Sequence, residues 1–257
     1  MVHIPRVLYS FRESTASTAA DLEAKPEIYE RGRKALAAAL RRQGSKALPK
    51  VAAGAWKGNY HLTEKGGGEK TAFFLPVPDE TIPASEIGTR LPDTSLHNAE
   101  IFGMGGHATE AAALASALER TAGEYLVVLS SEIGPLSEEL LRSLRDFAGI
   151  EGVGVTAAKA VGMDNRVDHC GLALDTGGTI LFPLRGLEAD APGYGAYGLV
   201  RRNVSMVSAL CTILRVPAVR SSGGIDPGMK SLHGAIVDAC FKVRRAGCRV
   251  VADGRLK

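Results

Sequence analysis

Short, continuous apolar runs mark the strands of this chain. The runs Thr71–Val77 (TAFFLPV) and Tyr125–Ser130 (YLVVLS) carry no charged residue, which is typical of strands that are buried on both faces. Further runs predict strands at Val153–Ala157, Gly171–Leu174 and Arg249–Ala252, and a short strand at Ala99–Phe102. The pattern therefore predicts a sheet whose central strands are covered on both sides.

Helical periodicity and capping residues predict the helices. They are expected at Lys25–Gly44, Ala108–Arg120, Ser137–Phe147 and Ala235–Ala246. Ser137 is an N-cap type followed by two glutamates, and Gly247 is the residue type that commonly ends a helix. The segment Val204–Leu214 fits either a strand or a helix.

The order of these elements predicts the fold class. Strands alternate with helices across Thr71–Ala252, which is typical of an α/β domain with a mainly parallel sheet flanked by helices. The residues before it read as an extended segment, a polar loop, one long helix and a basic segment that ends in GGGEK at 66–70. We therefore predict an N-terminal connector at 1–70 and a main domain at 71–257.

Composition and charge exclude several classes of protein. Hydrophobic residues make up 45% and charged residues 23%, which is ordinary for a globular chain. No apolar run is long enough to cross a bilayer, and the four cysteines are not paired as C-x-x-C. A net charge of +3 is too small to indicate nucleic acid. The arginine pairs at 41–42, 201–202 and 244–245 are read as solvated faces, and a cytoplasmic location is expected.

Acidic residues follow two of the predicted strands. Asp79 lies in PVPDE after the first strand, and Glu132 lies in SSE after the second. Ligands of open parallel sheets bind beyond the carboxyl ends of the strands, so we expect both carboxylates to face one crevice. GMGGH at 103–107 precedes a helix and fits either a phosphate cradle or a plain turn, and the plain turn is the preferred reading.

Several segments resemble the family 2 glycosyltransferases. GEYLVVLSSEIGPLSEELLRSLRDFA is similar to the family's strand, acidic motif and following helix, and GVGVTAAKAV with VDHCGLALD resembles its next strand and hairpin. VSALCTILR and SSGGIDPG resemble the acceptor-side elements, and VDACFKVRRAGCRVV resembles the closing helix and strand. HIPRVLYSFRES is similar to the connector that precedes such a domain in some multidomain bacterial enzymes.

The resemblance implies a GT-A-like, Rossmann-like fold and a site for sugar transfer. Transfer from a nucleotide-diphosphate sugar to a glycan acceptor uses Mg²⁺ or Mn²⁺ to neutralise the leaving diphosphate and a carboxylate base. Carried over by motif, the nucleotide-sugar residues are Pro76, Asp79, Ser130 and Glu132, with Glu132 as metal ligand. The acceptor side is Gly223, Gly224 and Asp226, and the catalytic candidate is Asp238.

The sequence departs from the family pattern at the acidic positions. The metal motif begins with Ser130 in place of an acid, and the acidic pair before Asp238 is replaced by Ala235 and Ile236. Since a general base typically contributes about 10²–10⁴-fold, transfer is expected to be weak or absent. On the sequence alone, Ile236→Asp is expected to raise activity where the fold accepts it.

Two functions follow from these residues. One is an impaired glycosyltransferase in polysaccharide biosynthesis, in the cytoplasm or peripheral at the inner membrane, binding a nucleotide sugar and a glycan acceptor. The other is a non-catalytic glycosyltransferase-like module that binds a glycan or a partner protein, including a second copy of itself. The histidines show no triad spacing, and His169 with Cys170 is read as a packed pair rather than a nucleophile.

Overall fold

The structure is a computed structural model that describes residues 25, 27–42, 44, 48–51, 58–63, 70–77, 89–92 and 99–257. Its contacts divide the chain into two compact units, Met1–Leu62 and Thr63–Lys257. The boundary expected at residues 70 and 71 stays a prediction, because residues 64–69 lie outside the described part. The same holds for the segments read as extended, Met1–Leu8, and as loop, Ser10–Ala24.

The first unit contains the long helix expected from the sequence. Helix α1 spans Glu27–Arg42, with glutamates in its first turn and arginines in its last. That charge order favours the helix dipole at both ends. Two short strands, β1 (Leu48–Val51) and β2 (Tyr60–Thr63), form a separate sheet. The Tyr60 hydroxyl donates a hydrogen bond of 2.5 Å to the Tyr29 carbonyl, which joins this sheet to α1.

A seven-stranded sheet organises the second unit, in the order β11-β13-β6-β12-β5-β3-β4. Its strands are β3 (Thr71–Phe74), β4 (Glu100–Phe102), β5 (Tyr125–Leu129), β6 (Val153–Ala158), β11 (Arg201–Asn203), β12 (Cys211–Arg215) and β13 (Arg249–Asp253). The parallel pairs are β3 with β4, β3 with β5, and β13 with β6, and all of these strands point the same way. The predicted α/β class with a mainly parallel sheet is confirmed.

Two strands oppose this common direction. Strand β12 lies antiparallel between β5 and β6, and β11 lies antiparallel along β13 at the edge of the sheet. The ambiguous segment Val204–Leu214 therefore supplies most of a central strand and no helix. The strand expected at Gly171–Leu174 is shorter than predicted and lies outside the seven-stranded sheet. Only β9 (Ala173–Leu174) forms there, and it pairs with β10 (Ile180–Leu181) in a separate hairpin.

Helices cover both faces of the sheet. They are α2 (Glu110–Arg120), α3 (Glu138–Ala148), α4 (Val216–Ser221) and α5 (Leu232–Arg245). Helices α2, α4 and α5 pack against one another, whereas α3 packs on β6 and β12. Thr109, Ser137 and Ser231 cap α2, α3 and α5 by accepting a backbone N–H, as the Ser137 prediction required.

Strand β5 shows why the central run is apolar throughout. Leu126 and Val128 point into the core under α2, α4 and α5, while Tyr125, Val127 and Leu129 point into the core under α3. All five residues are at most 1% exposed. Because side chains alternate between the faces of a strand, burial on both faces requires every position to be apolar.

Between β6 and β11 the chain forms hairpins and loops beyond the sheet. Strands β7 (Ala160–Val161) and β8 (Val167–His169) pair directly after β6 ends. We call the side of the sheet at which β3, β4, β5, β6 and β13 end the carboxyl side, and the opposite side the amino side. Open α/β sheets bind ligands at their carboxyl side.

Candidate functional site

Two of the predicted nucleotide-sugar residues lie side by side on the carboxyl side. The pairing of β3 with β5 ends at Phe74 and Val128, and Pro76 and Ser130 each follow two residues later on these adjacent chains. The Ser130 N–H donates to the Leu210 carbonyl at 3.0 Å, which closes the gap to the start of β12. Pro76 and Ser130 therefore both lie just beyond adjacent strand ends on the carboxyl side, while Asp79 lies outside the described residues.

The loop that carries Glu132 is a tight turn. Ser130 is 8% exposed, and its hydroxyl accepts the Glu132 N–H at 3.3 Å. The Ile133 N–H returns to the Ser130 carbonyl at 3.2 Å, and Ser131 and Glu132 are exposed. The turn fixes the backbone and leaves the Glu132 carboxylate open to a ligand in solvent.

The glycine segment Gly103–His107 borders the same side as a turn. The Met104 N–H donates to the Val77 carbonyl, and the His107 N–H donates to the Met104 carbonyl, both at 2.9 Å. Gly105 and Gly106 have positive φ angles of 52° and 76°, which only glycine adopts without strain. These bonds favour the plain turn over a phosphate cradle.

The predicted acceptor glycines lie toward the amino side instead. The Gly224 N–H bonds to the Val219 carbonyl of α4, and the Arg220 guanidinium of the same helix binds the carbonyls of Leu118 and Thr121, just before β5 begins. The structure does not bring Gly223 and Gly224 to Pro76 and Ser130.

Asp226 is used locally in the chain that leads to α5. Its carboxylate accepts the Gly228 N–H at 2.8 Å, and its carbonyl accepts the Met229 N–H at 3.3 Å. This bonding forms an Asx turn, which gives Asp226 a structural role on the path from Gly224 to α5.

The catalytic candidate Asp238 lies in the middle of α5 within an ion pair. Its Oδ2 lies 2.6 Å from Lys242 Nζ, in an alignment too poor for a directed hydrogen bond. Lys242 Nζ also reaches the Gly224 carbonyl at 3.4 Å. Ala235 and Ile236, which stand where the family has its acidic pair, are 0% exposed in the core. The arrangement leaves no described carboxylate of α5 free to act as a base.

A histidine cluster on the carboxyl side was missed by the sequence reasoning. The His169 ring, at the end of β8, lies 5.8 Å from the His233 ring in the first turn of α5 and 5.1 Å from the Phe182 ring. Asp168 lies 3.1 Å from His169 Nδ1 and 2.7 Å from an Arg185 nitrogen. No local spacing signals this cluster, because Asp168 and His169 belong to β8, Phe182 and Arg185 follow β10, and His233 belongs to α5.

Burial sets the protonation of the cluster. Desolvation lowers the pKa of His169 below 6.5, the nearby charges of His233 and Arg185 act in the same direction, and Asp168 opposes them. Cys170, beside it, is 3% exposed, and burial raises the pKa of its thiol. The expected packed state of Cys170 is confirmed, since a buried thiol of raised pKa is a poor nucleophile.

We expect His169 to make stability depend on pH. Below about pH 6.5 the unfolded ring binds a proton that the folded ring resists, so the free energy of unfolding is expected to fall as pH drops from 7 to 5. Proton-detected NMR of the histidine ring should show a midpoint below that of the urea-unfolded chain. His169→Gln should flatten the pH dependence of the urea midpoint over the same window, and an unchanged slope would contradict the assignment.

A buried charged network lies at the ends of β6 and β13. The Asp253 carboxylate is 2% exposed and is held by the guanidinium groups of Arg201 and Arg255. Burial raises the pKa of this carboxyl, but the hydrogen bonds and charges of Arg255 and Arg201 outweigh it and hold the pKa below 3.8. Arg201 also donates to Ser143 Oγ at 2.7 Å. The reading of Arg201 as a solvated residue was therefore wrong.

Lys159 extends this network by binding two carbonyls. Its Nζ donates to the Ala189 carbonyl at 2.6 Å and to the Gly198 carbonyl at 2.9 Å. Lys159 is only 3% exposed. Burial lowers the pKa of this amine. The contacts tie the loop between β10 and β11 to the end of β6, which is a structural role.

The described residues could hold a divalent cation only together with the phosphates of a bound nucleotide. Among them, no three His, Cys, Asp or Glu side chains converge in a metal-binding group. Glu132 offers one carboxylate and Ser130 a neutral hydroxyl. Mg²⁺ commonly binds one or two carboxylates together with substrate phosphates and water, so Glu132 suits a cation that arrives with a diphosphate.

Within the described residues, no helix is long and apolar enough to cross a membrane. No family model matches this chain. The chain is 25% identical over 280 residues to the uncharacterized protein y4gI of Sinorhizobium fredii (strain NBRC 101917 / NGR234). The match covers 95% of this chain and 30% of that protein, so the chain spans less than a third of its relative.

Solved structures with a similar fold include two glycosyltransferases. GalNAc-T7 with UDP, GalNAc and Mn²⁺ has a TM-score of 0.47 and 11% identity, over 76% of this chain and 44% of that one. The mannosyltransferase PcManGT of Pyrobaculum calidifontis, in complex with GDP-Man and Mn²⁺, has a TM-score of 0.46 and 11% identity, over 91% and 63%. A197 from STIV has a TM-score of 0.42 and 16% identity, over 73% and 83%. At such values the similarity assigns no function to this chain.

Proposed function

We propose that this chain is a glycosyltransferase-like domain that binds a nucleotide-diphosphate sugar on the carboxyl side of its sheet. The observation that supports the proposal is the position of Pro76 and Ser130 just beyond two adjacent parallel strands, with the exposed carboxylate of Glu132 in the turn that begins at Ser130. These are the positions that the motif resemblance assigns to the nucleotide sugar. Asp79 is proposed to join them.

The diphosphate is proposed to bind with Mg²⁺ or Mn²⁺ at Glu132. When bound, such a cation neutralises the negative charge that the leaving diphosphate develops. The Ser130–Ile133 turn holds the backbone of Glu132 in place, while the buried Ser130 hydroxyl is already engaged with the Glu132 N–H. Because the motif offers one carboxylate, Glu132, where the family has two, we expect the cation to bind well only together with the nucleotide diphosphate.

The acceptor is proposed to be a glycan, and its transfer is proposed to be slow. A fast inverting transfer needs a carboxylate to remove the proton of the acceptor hydroxyl. Ala235 and Ile236 offer none, and Asp238 is paired with Lys242. On this side, the rings of His169 and His233 lie 5.8 Å apart near the start of α5, with the Asp168 carboxylate beside His169, and we propose this cluster as the place where the acceptor proton is removed.

A test of the site is the binding of nucleotide-diphosphate sugars by calorimetry, with and without Mn²⁺. Glu132→Ala is expected to weaken Mn²⁺-dependent binding by about tenfold or more, since contacts to charged groups are worth about 1.5–3 kcal/mol. Glu151→Ala removes another exposed carboxylate, between α3 and β6 on the amino side, and this variant should bind as the unmodified chain does. Equal effects of the two substitutions would place the site elsewhere.

A second function is supported by the same core positions. The burial of Ala235 and Ile236 and the pairing of Asp238 are those expected of a non-catalytic module that binds a glycan or a partner protein. A single-turnover assay separates the two. Nucleotide-sugar binding with transfer to a glycan supports the enzyme, while binding without transfer over hours supports the module.

A further inference from the structure

We propose that a groove along the edge strand β11 binds acidic glycans through three arginines. The groove has a volume of about 460 Å³ and is lined by Arg202, Arg244 and Arg249, together with Tyr197, Pro183 and Cys248. That volume is within the range of about 300–1,000 Å³ that small-molecule sites occupy. It lies near the start of β13, away from the strand ends of the proposed nucleotide site, and the inference does not depend on that site.

The charge of the groove is not balanced by the protein. No carboxylate is among its lining residues, and none of Arg202, Arg244 and Arg249 forms an ion pair within the described part of the chain. Guanidinium groups are weakly hydrated and match carboxylates and phosphates with two parallel bonds. Three such groups around one groove select an anion.

Backbone carbonyls hold these arginines in place. Arg202 donates to the Cys170 carbonyl, Arg244 to the Ser205 carbonyl at 3.4 Å, and Arg249 to the Glu151 carbonyl at 2.7 Å. A bond to a neutral carbonyl orients a guanidinium without cancelling its charge. The three guanidinium groups are therefore oriented before an anion binds, which reduces the loss of side-chain entropy on binding.

The aromatic side of the groove selects a sugar. Arg202 lies 5.0 Å from the centroid of the Tyr197 ring, which lines the groove, and the ring of Tyr194, which is not a lining residue, meets Tyr197 edge-to-face at 5.8 Å. Tyr197 is 42% exposed and Tyr194 is 85% exposed. Tyrosine rings present an apolar face with a polar hydroxyl, which suits the mixed surface of a sugar ring. Rings beside unpaired arginines fit a saccharide that carries carboxylates.

Cys248 provides a reporter inside the groove. It is half-buried, whereas Cys170, Cys211 and Cys240 are buried, and burial raises the pKa of Cys211 and Cys240 to about 12. Iodoacetamide should therefore modify Cys248 first, as measured by peptide mass spectrometry. At ten times its Kd, a galacturonic acid hexasaccharide is expected to slow this modification about tenfold, because only the free groove reacts.

Matched variants test the arginines. Arg244→Gln with Arg249→Gln is expected to weaken hexasaccharide binding by about tenfold per arginine, while Arg245→Gln, the exposed neighbour outside the groove, should leave it unchanged. Maltohexaose, inorganic phosphate and a single-stranded DNA hexamer serve as neutral, small-anion and nucleic-acid probes. The proposal is overturned when the uronate gives no protection of Cys248, or when any of these probes binds as tightly as the uronate.

Discussion

Asp253→Ala is expected to lower the free energy of unfolding by about 3–5 kcal/mol, the usual cost of removing one partner from a buried ion pair. The substitution leaves the Arg201 guanidinium charged in a place where its side chain is only 10% exposed. This guanidinium keeps little contact with water and loses the carboxylate that binds it, so the folded state is destabilised. Urea unfolding followed by circular dichroism measures the effect.

Two further variants make this prediction specific. Asp190→Ala removes a carboxylate that pairs with Lys257 but is 75% exposed, and it should leave the urea midpoint nearly unchanged. Replacing both Asp253 and Arg201, as Asp253→Leu with Arg201→Met, should be less destabilising than Asp253→Ala, because the more deeply buried guanidinium is removed together with its carboxylate and only Arg255, whose side chain is 20% exposed, loses a partner. An Asp253→Ala variant as stable as the unmodified chain would show that the network contributes little to the free energy of unfolding.

The same network predicts the response to acid. The pKa of Asp253 is held below its ordinary value of 3.8, so the folded carboxylate resists protonation. Its contribution to stability is complete above that ordinary value and is lost as pH falls through the folded pKa. Asp253→Ala should remove this part of the acid sensitivity.

Ile236→Asp is expected to destabilise the chain by about 3–5 kcal/mol and to give no gain in sugar transfer. The sequence alone suggested the opposite, that a carboxylate here restores the missing base. Ile236 is 0% exposed in the core formed with α2 and α4, so the new carboxylate faces apolar side chains and no acceptor. The measurements are the urea midpoint and a single-turnover assay with Mn²⁺ and a nucleotide sugar.

Ile236→Val is the matched control. It keeps an apolar side chain and should cost about 0.5–1.5 kcal/mol, as the loss of one buried methylene usually does. A soluble Ile236→Asp variant that unfolds at the midpoint of the unmodified chain and gains Mn²⁺-dependent transfer would show that this position faces the site. The motif resemblance would then describe the site better than the packing does.

Local chemistry determined much of the fold. The uncharged run YLVVLS specified a strand covered on both faces, because alternate side chains enter two different cores. Ser137 specified the start of α3, because its side chain reaches the N–H three residues later. The sequence also predicted that β3 and β5 are parallel strands ending on one side of the sheet, and their pairing is in that direction.

The tertiary structure alone decided the direction of β12 and the long-range polar pairs. Because β12 runs antiparallel to β5, the residues that follow it emerge on the amino side, which separates Gly223 and Gly224 from Ser130. The contacts of Asp253 with Arg201 and of His169 with His233 join residues from distant elements. Strand direction and such contacts depend on how whole elements pack, and no local run of residues encodes that packing.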